Sequence, residues 1–215
     1  MQGGTSREMG DGARRRGEQE QLLCAAVLRV VGREGIGNTN VQLVVEDAKL
    51  SRDKFHQNFR SLDECFRLAY DQNTHEICEA MLAAGRRGRS WPEGLRLALR
   101  VLLEFVAEQP LTANALIIEG GRAGSSTAET QNLVLKRLAR ALDSARRQPG
   151  SRHSAPPLTG DLMVGAITNT LQGLLVKGES NRAPDLLGDY TYLLMLAFFD
   201  EDTAYREMES AEEGM

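Results

Sequence analysis

The sequence predicts an all-α protein, and three observations lead to that prediction. Apolar residues recur at spacings of three and four in most segments, which is the periodicity of a helix with one buried face. Strand-like alternation is lacking, and aromatic residues make up only 5% of the chain. Serine, threonine or asparagine precedes several of the apolar stripes and glycine or proline follows them, as at the two ends of helices.

The composition is that of an ordinary folded protein, with 215 residues of which 41% are hydrophobic and 26% charged. We expect a cytoplasmic protein without a membrane segment, because no apolar run approaches about 20 residues and the N-terminus does not have the pattern of a secretory signal. Cys24, Cys65 and Cys78 lack the spacing of metal ligands. They are expected to be reduced helix residues, with a thiol sensor as the alternative.

Positive charge is concentrated at the N-terminal end of the chain. Residues 1–60 contain ten Lys/Arg and eight Asp/Glu, a formal charge of +2, whereas the remaining residues carry −6. A basic end on an acidic body is expected where only one end of a protein meets phosphate groups. The difference is modest, so charge gives weak support to nucleic-acid binding.

Nine helices are predicted in chain order. They cover residues of about 18–33, 39–48, 52–59, 61–84, 91–109, 111–119, 127–147, 159–176 and 185–200. The Gly- and Arg-rich tail 1–17 lacks apolar anchors and is expected to be disordered. The acidic segment from Glu201 onwards, which includes the tail 206–215, is expected to fray.

The segment Thr39–Phe59 predicts two short helices joined by a tight turn at Lys49 and Leu50, a helix-turn-helix. Phe55 and Phe59 are four residues apart and are expected to face inward. The second helix then leaves a polar and basic face for solvent or for DNA, made of Arg52, Asp53, Lys54, His56, Gln57 and Asn58. Such side chains suit base edges and phosphates, and a polar surface helix is the alternative.

This region resembles the TetR family of transcriptional regulators. The resemblance needs no gap over about forty residues and is carried by Gly35-Ile36, Thr39-Asn40-Val41, Glu46-Asp47-Ala48-Lys49-Leu50-Ser51, Lys54-Phe55-His56-Gln57-Asn58-Phe59 and Ser61-Leu62-Asp63-Glu64-Cys65-Phe66. It implies a three-helix DNA-binding domain over 18–62 and a helical ligand-binding and dimerisation domain over 63–205. It also implies a homodimeric repressor that a small-molecule ligand releases from a double-stranded DNA operator.

The resemblance assigns DNA contacts to the helix-turn-helix. It implies that Thr39 contacts phosphate and that His56 occupies the position of a phosphate-contacting tyrosine. It also implies that four residues of the same helix as His56 face bases, namely Arg52, Asp53, Lys54 and Gln57. The predicted DNA-binding residues are Thr39, Asn40, Lys49, Ser51, Arg52, Asp53, Lys54, His56 and Gln57.

Four substitutions depart from the family pattern, and one of them is Val45 in place of a small alanine. Lys49 replaces the turn glycine, which predicts strain if its φ is positive. His56 replaces tyrosine and Leu62 replaces a lysine that meets the DNA backbone, so phosphate contacts are lost. Arg14-Arg15-Arg16 could compensate as a minor-groove arm, or could only solubilise the tail. The alternative function is a helical ligand- or partner-binding protein with weak or no DNA binding.

Helices eight and nine carry more apolar surface than one bundle needs. This predicts a symmetric four-helix interface between two subunits, with ordinary interior helices as the alternative. The predicted interface residues are Met163, Ile167, Leu171, Leu174, Leu186, Tyr190, Leu193, Leu194 and Phe198.

The resemblance also implies a ligand pocket within helices four to eight. The predicted lining residues are Met81, Trp91, Leu102, Phe105, Asn114, Ile117 and Asn169. A mostly apolar pocket suits a lipophilic small molecule. Glu119, Thr168 and Gln172 are further polar residues near apolar stripes, and they suit the surface equally well.

Catalytic signals are lacking in the sequence. His56, His75 and His153 do not have metal-ligand spacing, and the segment 120–124 has glycines but not the Lys-Ser/Thr of a phosphate-binding loop. We therefore predict no enzymatic activity, no cofactor and no metal site.

Overall fold

The computed structural model describes residues 5–152 and 155–213. All the secondary-structure elements within these ranges are helices, as predicted. The α-helices are α1 Thr5–Glu34, α2 Val41–Ala48, α3 Arg52–Asn58, α4 Leu62–Gly85, α5 Trp91–Glu108, α6 Pro110–Asn114, α7 Ser125–Asp143, α8 Thr159–Lys177, α9 Leu187–Phe198 and α10 Glu201–Glu213. A π-helical segment, Ala115–Glu119, continues α6. Residues 1–4 of the predicted tail, His153, and residues 214–215 of the acidic tail lie outside the described residues.

Helices α1 to α3 form the head of the molecule, and side-chain caps fix where its helices begin. Asn40 accepts a hydrogen bond from the Leu43 N–H (3.1 Å) at the start of α2. Ser51 does the same for the Lys54 N–H (3.3 Å) at the start of α3. Each cap satisfies a backbone donor that the first helical turn leaves unpaired. The predicted helix starts are therefore confirmed.

An ion-pair cluster holds α2 against α1. Asp47 of α2 accepts from Arg29 Nη2 at 2.6 Å and lies 3.6 Å from Arg33 Nη1. Two partly exposed arginines of the basic end are thus engaged by a carboxylate of the protein itself. They contribute to helix packing and are less available for an external anion.

The turn between α2 and α3 has the strained conformation that the sequence indicated. Lys49 has φ 55° and ψ 39°, in the left-handed region, and it is the one non-glycine residue with positive φ within the described ranges. For an L-residue this conformation costs about 1–2 kcal/mol. The tight turn sets the crossing of α2 and α3, so the strain lies directly beneath the predicted recognition helix.

Helices α4 to α10 form the body, which has its own hydrophobic core. The core is centred on α5, α8 and α9, with Leu103, Leu171, Met195 and Phe198 almost fully buried. Trp91 at the start of α5 stacks near Phe199, with ring centroids 5.8 Å apart. Helix α4 belongs to both parts of the molecule, because its first turns pack into the core of the head.

The three cysteines are buried free thiols. A hydrogen bond to Cys24 and burial both raise the pKa of the Cys65 thiol, and burial raises the pKa of Cys78. A thiol with a raised pKa is a poor nucleophile. The thiols of Cys65 and Cys78 therefore fit the predicted role of reduced packing residues.

The predicted disorder of the N-terminal tail is wrong for residues 5–17, which continue α1. Once the packed part of α1 is formed, each added residue gains one backbone hydrogen bond without a new nucleation step. An ion pair between Arg14 and Glu18, one turn apart at 3.2 Å, supports the extension. Arg14, Arg15 and Arg16 therefore lie on a helix and not on an extended arm.

The predicted fraying of the acidic end is wrong for residues 201–213, which form α10. Asp200 caps this helix by accepting from the Thr203 N–H at 2.8 Å. Ala204 and Ala211, seven residues apart, are buried in the core of the body. An ion pair between Arg96 of α5 and Glu207 adds a charged contact to the body.

Taken singly, the helices of the described chain fall short of the length and apolar character needed to cross a bilayer. Trp91–Glu108 and Pro110–Glu119 meet that requirement only together, as a pair bent by 108°.

We predict that Lys49→Gly stabilises the protein by about 0.5–1 kcal/mol, since glycine adopts positive φ without strain but makes the unfolded chain more flexible. Urea denaturation followed by circular dichroism measures this change. Lys49→Ala, which removes the charge and keeps Cβ, is the control and should give no gain. Equal stabilisation by both variants would show that charge, and not backbone strain, destabilises the turn.

Candidate functional site

Helix α3 divides into a buried and an exposed face as predicted. Phe55 (0% exposed) and Phe59 (3% exposed) anchor it in the head core. The opposite side presents Arg52, Asp53, His56 and Gln57 to solvent, with Lys54 half-buried beside them. The short helix is thus rigidly held while its polar side remains free for a partner.

Hydrogen bonds between side chains order this polar side. Arg52 Nε donates to Gln42 Oε1 of α2 at 2.7 Å, and Lys54 Nζ donates to Gln57 Oε1 at 3.0 Å. Further N–H donors remain free of these bonds: four of the five on the Arg52 guanidinium and both of those on the Gln57 amide. The face is therefore a set of donors held in place by pairs within the head.

The predicted phosphate contacts are only partly available. Asn40 and Ser51 use their side-chain oxygens as helix caps, so the Asn40 NH₂ and the Ser51 O–H remain as donors. Lys49 is exposed at the turn. The Thr39 hydroxyl, in contrast, donates to the Gly35 carbonyl at 2.8 Å and the residue is 9% exposed. A phosphate contact by Thr39 does not fit this structure, because its single O–H is already used.

The body contains an internal cavity of about 380 Å³ between α4, α5, α7 and α8. Five of the predicted pocket residues line it: Met81, Trp91, Leu102, Phe105 and Ile117. Asn169 is instead exposed on the outer side of α8, because the inward side of that helix carries Val164, Ile167, Thr168 and Leu171. Asn114 also lies outside the lining. The prediction is therefore wrong for these two asparagines.

The polar groups along the cavity are few and mostly paired with the protein. Trp91 Nε1 donates to Ser144 Oγ at 3.0 Å, and Ser144 in turn donates to the Ala141 carbonyl. Burial raises the pKa of Tyr70 to about 12, so its hydroxyl stays protonated, and it lies 3.4 Å from the Leu116 carbonyl. The Thr74 hydroxyl, 7% exposed, has no well-formed hydrogen bond to another described residue. The cavity lining is therefore mostly apolar, with a few separate polar groups.

The π-helical segment Ala115–Glu119 connects the cavity to the head. Leu116 and Ile117 line the cavity. Glu119, which the sequence places only near an apolar stripe, is 7% exposed and accepts a hydrogen bond from the Ile36 N–H of the head at 2.9 Å. Arg122 Nη1 donates to its other oxygen at 2.7 Å. The only sequence signal for this residue was a single acid at the end of an apolar run.

Close packing fixes this connecting segment against α4. The ring of Tyr70 lies so near Gly120 that a Cβ at that position would overlap it. The Ile117 carbonyl accepts from Gln172 Nε2 of α8 at 3.1 Å. A displacement of the cavity wall would therefore also displace the side chains of α4, α8 and the head that contact it.

The outer face of α8 and α9 differs from the predicted interface. Leu171, Leu194 and Phe198 are at most 1% exposed and Tyr190 is 7% exposed, so the prediction is wrong for these buried residues. Four more are half-buried, namely Met163, Ile167, Leu174 and Leu186, and Leu193 is 53% exposed. The most apolar stripes of α8 and α9 face inward because they form part of the core of the subunit.

A second stripe on α8 faces solvent and was missed from the sequence. Leu162 is 66% exposed and Val176 is 75% exposed, and the residues between them on the same face are Ala166, Asn169 and Gly173. The spacing of four, three, four and three is that of a helix seam. Small residues in its centre allow another helix to approach closely.

No protein-family model and no curated protein matches the sequence. Solved structures do match the fold. The fatty acid degradation regulator FadR from Bacillus halodurans superposes with a TM-score of 0.74 at 12% identity, over 82% of this chain and 94% of that chain. The transcriptional regulator FadR from Bacillus subtilis, in complex with stearoyl-CoA, has a TM-score of 0.71 at 14% identity, over 81% and 96%.

A TetR family transcription regulator from Marinobacter aquaeolei VT8 has a TM-score of 0.64 at 16% identity, over 83% of this chain and 97% of that chain. The chain therefore has the fold of TetR-type regulators. This confirms the predicted all-α architecture, in which an N-terminal helix-turn-helix precedes a larger helical domain.

We predict that Glu119→Ala destabilises the protein by about 1–2 kcal/mol, because the Ile36 N–H and the Arg122 guanidinium both lose their acceptor. Amide hydrogen exchange at Ile36 should become faster than in the wild type. Glu129→Ala, on the exposed side of α7, is the matched control and should change stability by less than about 0.5 kcal/mol. Equal stability of the two variants would show that the contact between head and body contributes nothing.

Proposed function

We propose that this chain is a TetR-type transcriptional regulator that acts in the cytoplasm as a homodimer. In this proposal α3 binds a double-stranded DNA operator, and a lipophilic ligand in the cavity releases the protein from it, so that its output is repression. The observation that carries the proposal is the segment Ala115–Glu119, which lines the cavity at Leu116 and Ile117 and holds the head at Ile36.

The exposed side of α3 supplies the proposed base contacts. Arginine and lysine donate to guanine, and a glutamine amide pairs with adenine, when a helix lies in the major groove. Arg52, Lys54 and Gln57 are the side chains of these types on α3. Lys49, Asn40 and Ser51 lie at the ends of α2 and α3, where they would contact the phosphates on either side of the groove.

The outward seam of α8 supplies the proposed dimer contact. Two copies packed through Leu162, Ala166, Gly173 and Val176, together with Leu193 of α9, would bury apolar surface that one subunit leaves exposed. A two-fold axis through such an interface would place two α3 helices on the same side of the dimer. Two half-sites on DNA require a separation of about 34–36 Å between them.

Release by a ligand follows from the way the parts are packed. A molecule that fills the cavity pushes on Tyr70, Leu116 and Ile117, and these residues are packed against α4 and Glu119. The head would then change its position and the spacing of the two α3 helices would no longer fit DNA. The ligand shifts this equilibrium only by the difference between its affinities for the two states.

The cavity fits a lipophilic ligand in size and lining. Its volume of about 380 Å³ falls within the range of about 300–1,000 Å³ typical of small-molecule sites. The FadR structure from Bacillus subtilis holds stearoyl-CoA, which also has a long apolar part. We therefore propose a ligand with a substantial hydrocarbon portion.

We predict that Gln57→Ala lowers affinity for the operator about tenfold or more, since a bidentate contact to a base contributes about 1–3 kcal/mol. Affinity for DNA of random sequence should remain nearly unchanged. Fluorescence anisotropy with fragments selected from a genomic library measures both affinities. Gln72→Ala, an exposed glutamine of α4 in the body, is the matched control.

Two outcomes would contradict this prediction. Unchanged operator affinity of Gln57→Ala would show that this side chain does not read bases. A wild-type protein that selects no sequence from the library would favour the other function, a helical ligand- or partner-binding protein whose helix-turn-helix does not act on DNA.

We predict that the double variant Leu162→Glu, Val176→Glu is monomeric at micromolar concentration, because four like charges would face one another across the two-fold axis. Analytical ultracentrifugation measures the mass. Leu133→Glu, which changes a leucine that is 69% exposed on α7, should leave the dimer intact. A dimer that survives the double variant would place the interface elsewhere on the protein.

A further inference from the structure

One residue of the cavity lining lies at the surface of the protein. Among the described residues that line the cavity, Arg86 alone is exposed, and the others are half-buried or buried. Arg86 follows the last residue of α4, at the start of the loop to α5. We call this place, where the cavity lining meets the protein surface, the mouth of the cavity.

The same residue is the one charged side chain in the described lining of the cavity. Within the described part of the chain it forms no ion pair or side-chain hydrogen bond. The next acidic group along the loop, Glu93, is engaged by Arg89, whose backbone N–H and Nε donate to it at 2.8 and 3.3 Å. Arg87 adds a further cation to the loop. The mouth therefore carries positive charge that no ion pair among the described residues compensates.

Beyond the mouth the lining is apolar over a long distance. Cavity residues occur along α4 from Arg86 back to Tyr70, which is about 24 Å at about 1.5 Å per residue. The polar pair nearest the mouth, Trp91 and Ser144, is internally hydrogen-bonded. A charged ligand group placed inside would lose its hydration and would meet only isolated polar groups such as the Thr74 hydroxyl, which is strongly unfavourable.

We propose that the cavity binds a single-chain amphiphile with an anionic head group, a carboxylate or a phosphate-bearing group, and that Arg86 binds this head at the mouth. The guanidinium matches both anions with paired N–H donors. The hydrocarbon chain extends along α4, and its far end lies against Tyr70 and Leu116, next to the contact made by Glu119. This inference rests on the proposed function for the regulatory meaning of binding, but the binding itself is independent of DNA.

Isothermal titration calorimetry of the full-length protein tests the proposal with three probes of equal chain length: dodecanoate, dodecanoyl-CoA and 1-dodecanol, each below its micellar concentration. The wild type should bind the two anions about tenfold more tightly than the alcohol. Arg86→Ala should lose that preference and keep its affinity for the alcohol. Arg140→Ala, which changes an exposed arginine of α7 outside the cavity lining, should bind all three as the wild type does.

The ratio of the two anion affinities identifies the head, because a phosphate-bearing head would favour dodecanoyl-CoA and a carboxylate would favour dodecanoate. Equal binding of alcohol and anions, or a preference that survives in Arg86→Ala, would overturn the assignment of Arg86. Failure of all three probes to bind would overturn the proposal that the cavity binds an amphiphile.

Operator affinity of ligand-free wild type and Arg86→Ala is measured in parallel and should be equal, which also shows that the variant is folded. Sequence-specific DNA binding without head-group preference would overturn the ligand inference alone. Head-group preference without DNA binding would support this inference and overturn the proposed regulatory function.

Discussion

Helix α4 supplies side chains to both parts of the molecule, and the rest of the structure depends on this sharing. Phe66 and Tyr70 are buried with the head, whereas Cys78 and Met81 form part of the cavity wall in the body. Protein interiors are packed as densely as organic crystals, so a change in the volume of one core moves the side chains of its neighbours. Because a single helix joins the two cores, a shift of the cavity wall would be transmitted to the head in the proposed mechanism.

Glu119 strengthens that connection at an energetic cost. A buried carboxylate loses hydration, and its hydrogen bonds to the Ile36 N–H and to Arg122 offset this loss. Buried ionic groups contribute little net stability compared with well-packed apolar residues. Glu119 contributes position more than stability, because its hydrogen bond holds the first residues after α1 at a fixed place relative to the cavity. A π-helical segment, which is less regular than an α-helix, places this carboxylate where the head can reach it.

Periodicity and capping residues were sufficient to predict most helices and the helix-turn-helix, since these depend on near neighbours in the chain. The positive φ of Lys49 was also predictable, because the turn has room for few conformations. Sequence could not decide which stripe of α8 faces inward, because Leu171 and Val176 are both apolar and only tertiary packing separates them. Helix α10 was missed because two alanines, Ala204 and Ala211, give a weak periodic signal. The roles of Arg86 and Glu119 depend on distant partners that spacing does not reveal.

The head combines ordered side chains that are proposed to read bases with few free cations that could bind phosphate. Arg29 and Arg33 are engaged by Asp47, and the Arg14–Arg16 triplet lies on a helix, which does not enter a minor groove as an extended arm does. Fewer neutralised phosphates mean that fewer counterions are released on binding, so affinity depends less steeply on salt. A larger share of the binding energy must then come from base edges. A small shift of the head would misalign directional hydrogen bonds to bases. It would therefore lower DNA affinity more in such a protein than in one held chiefly by phosphate contacts. Few contacts to the DNA phosphates are therefore compatible with the proposed control of DNA binding by a ligand in the body.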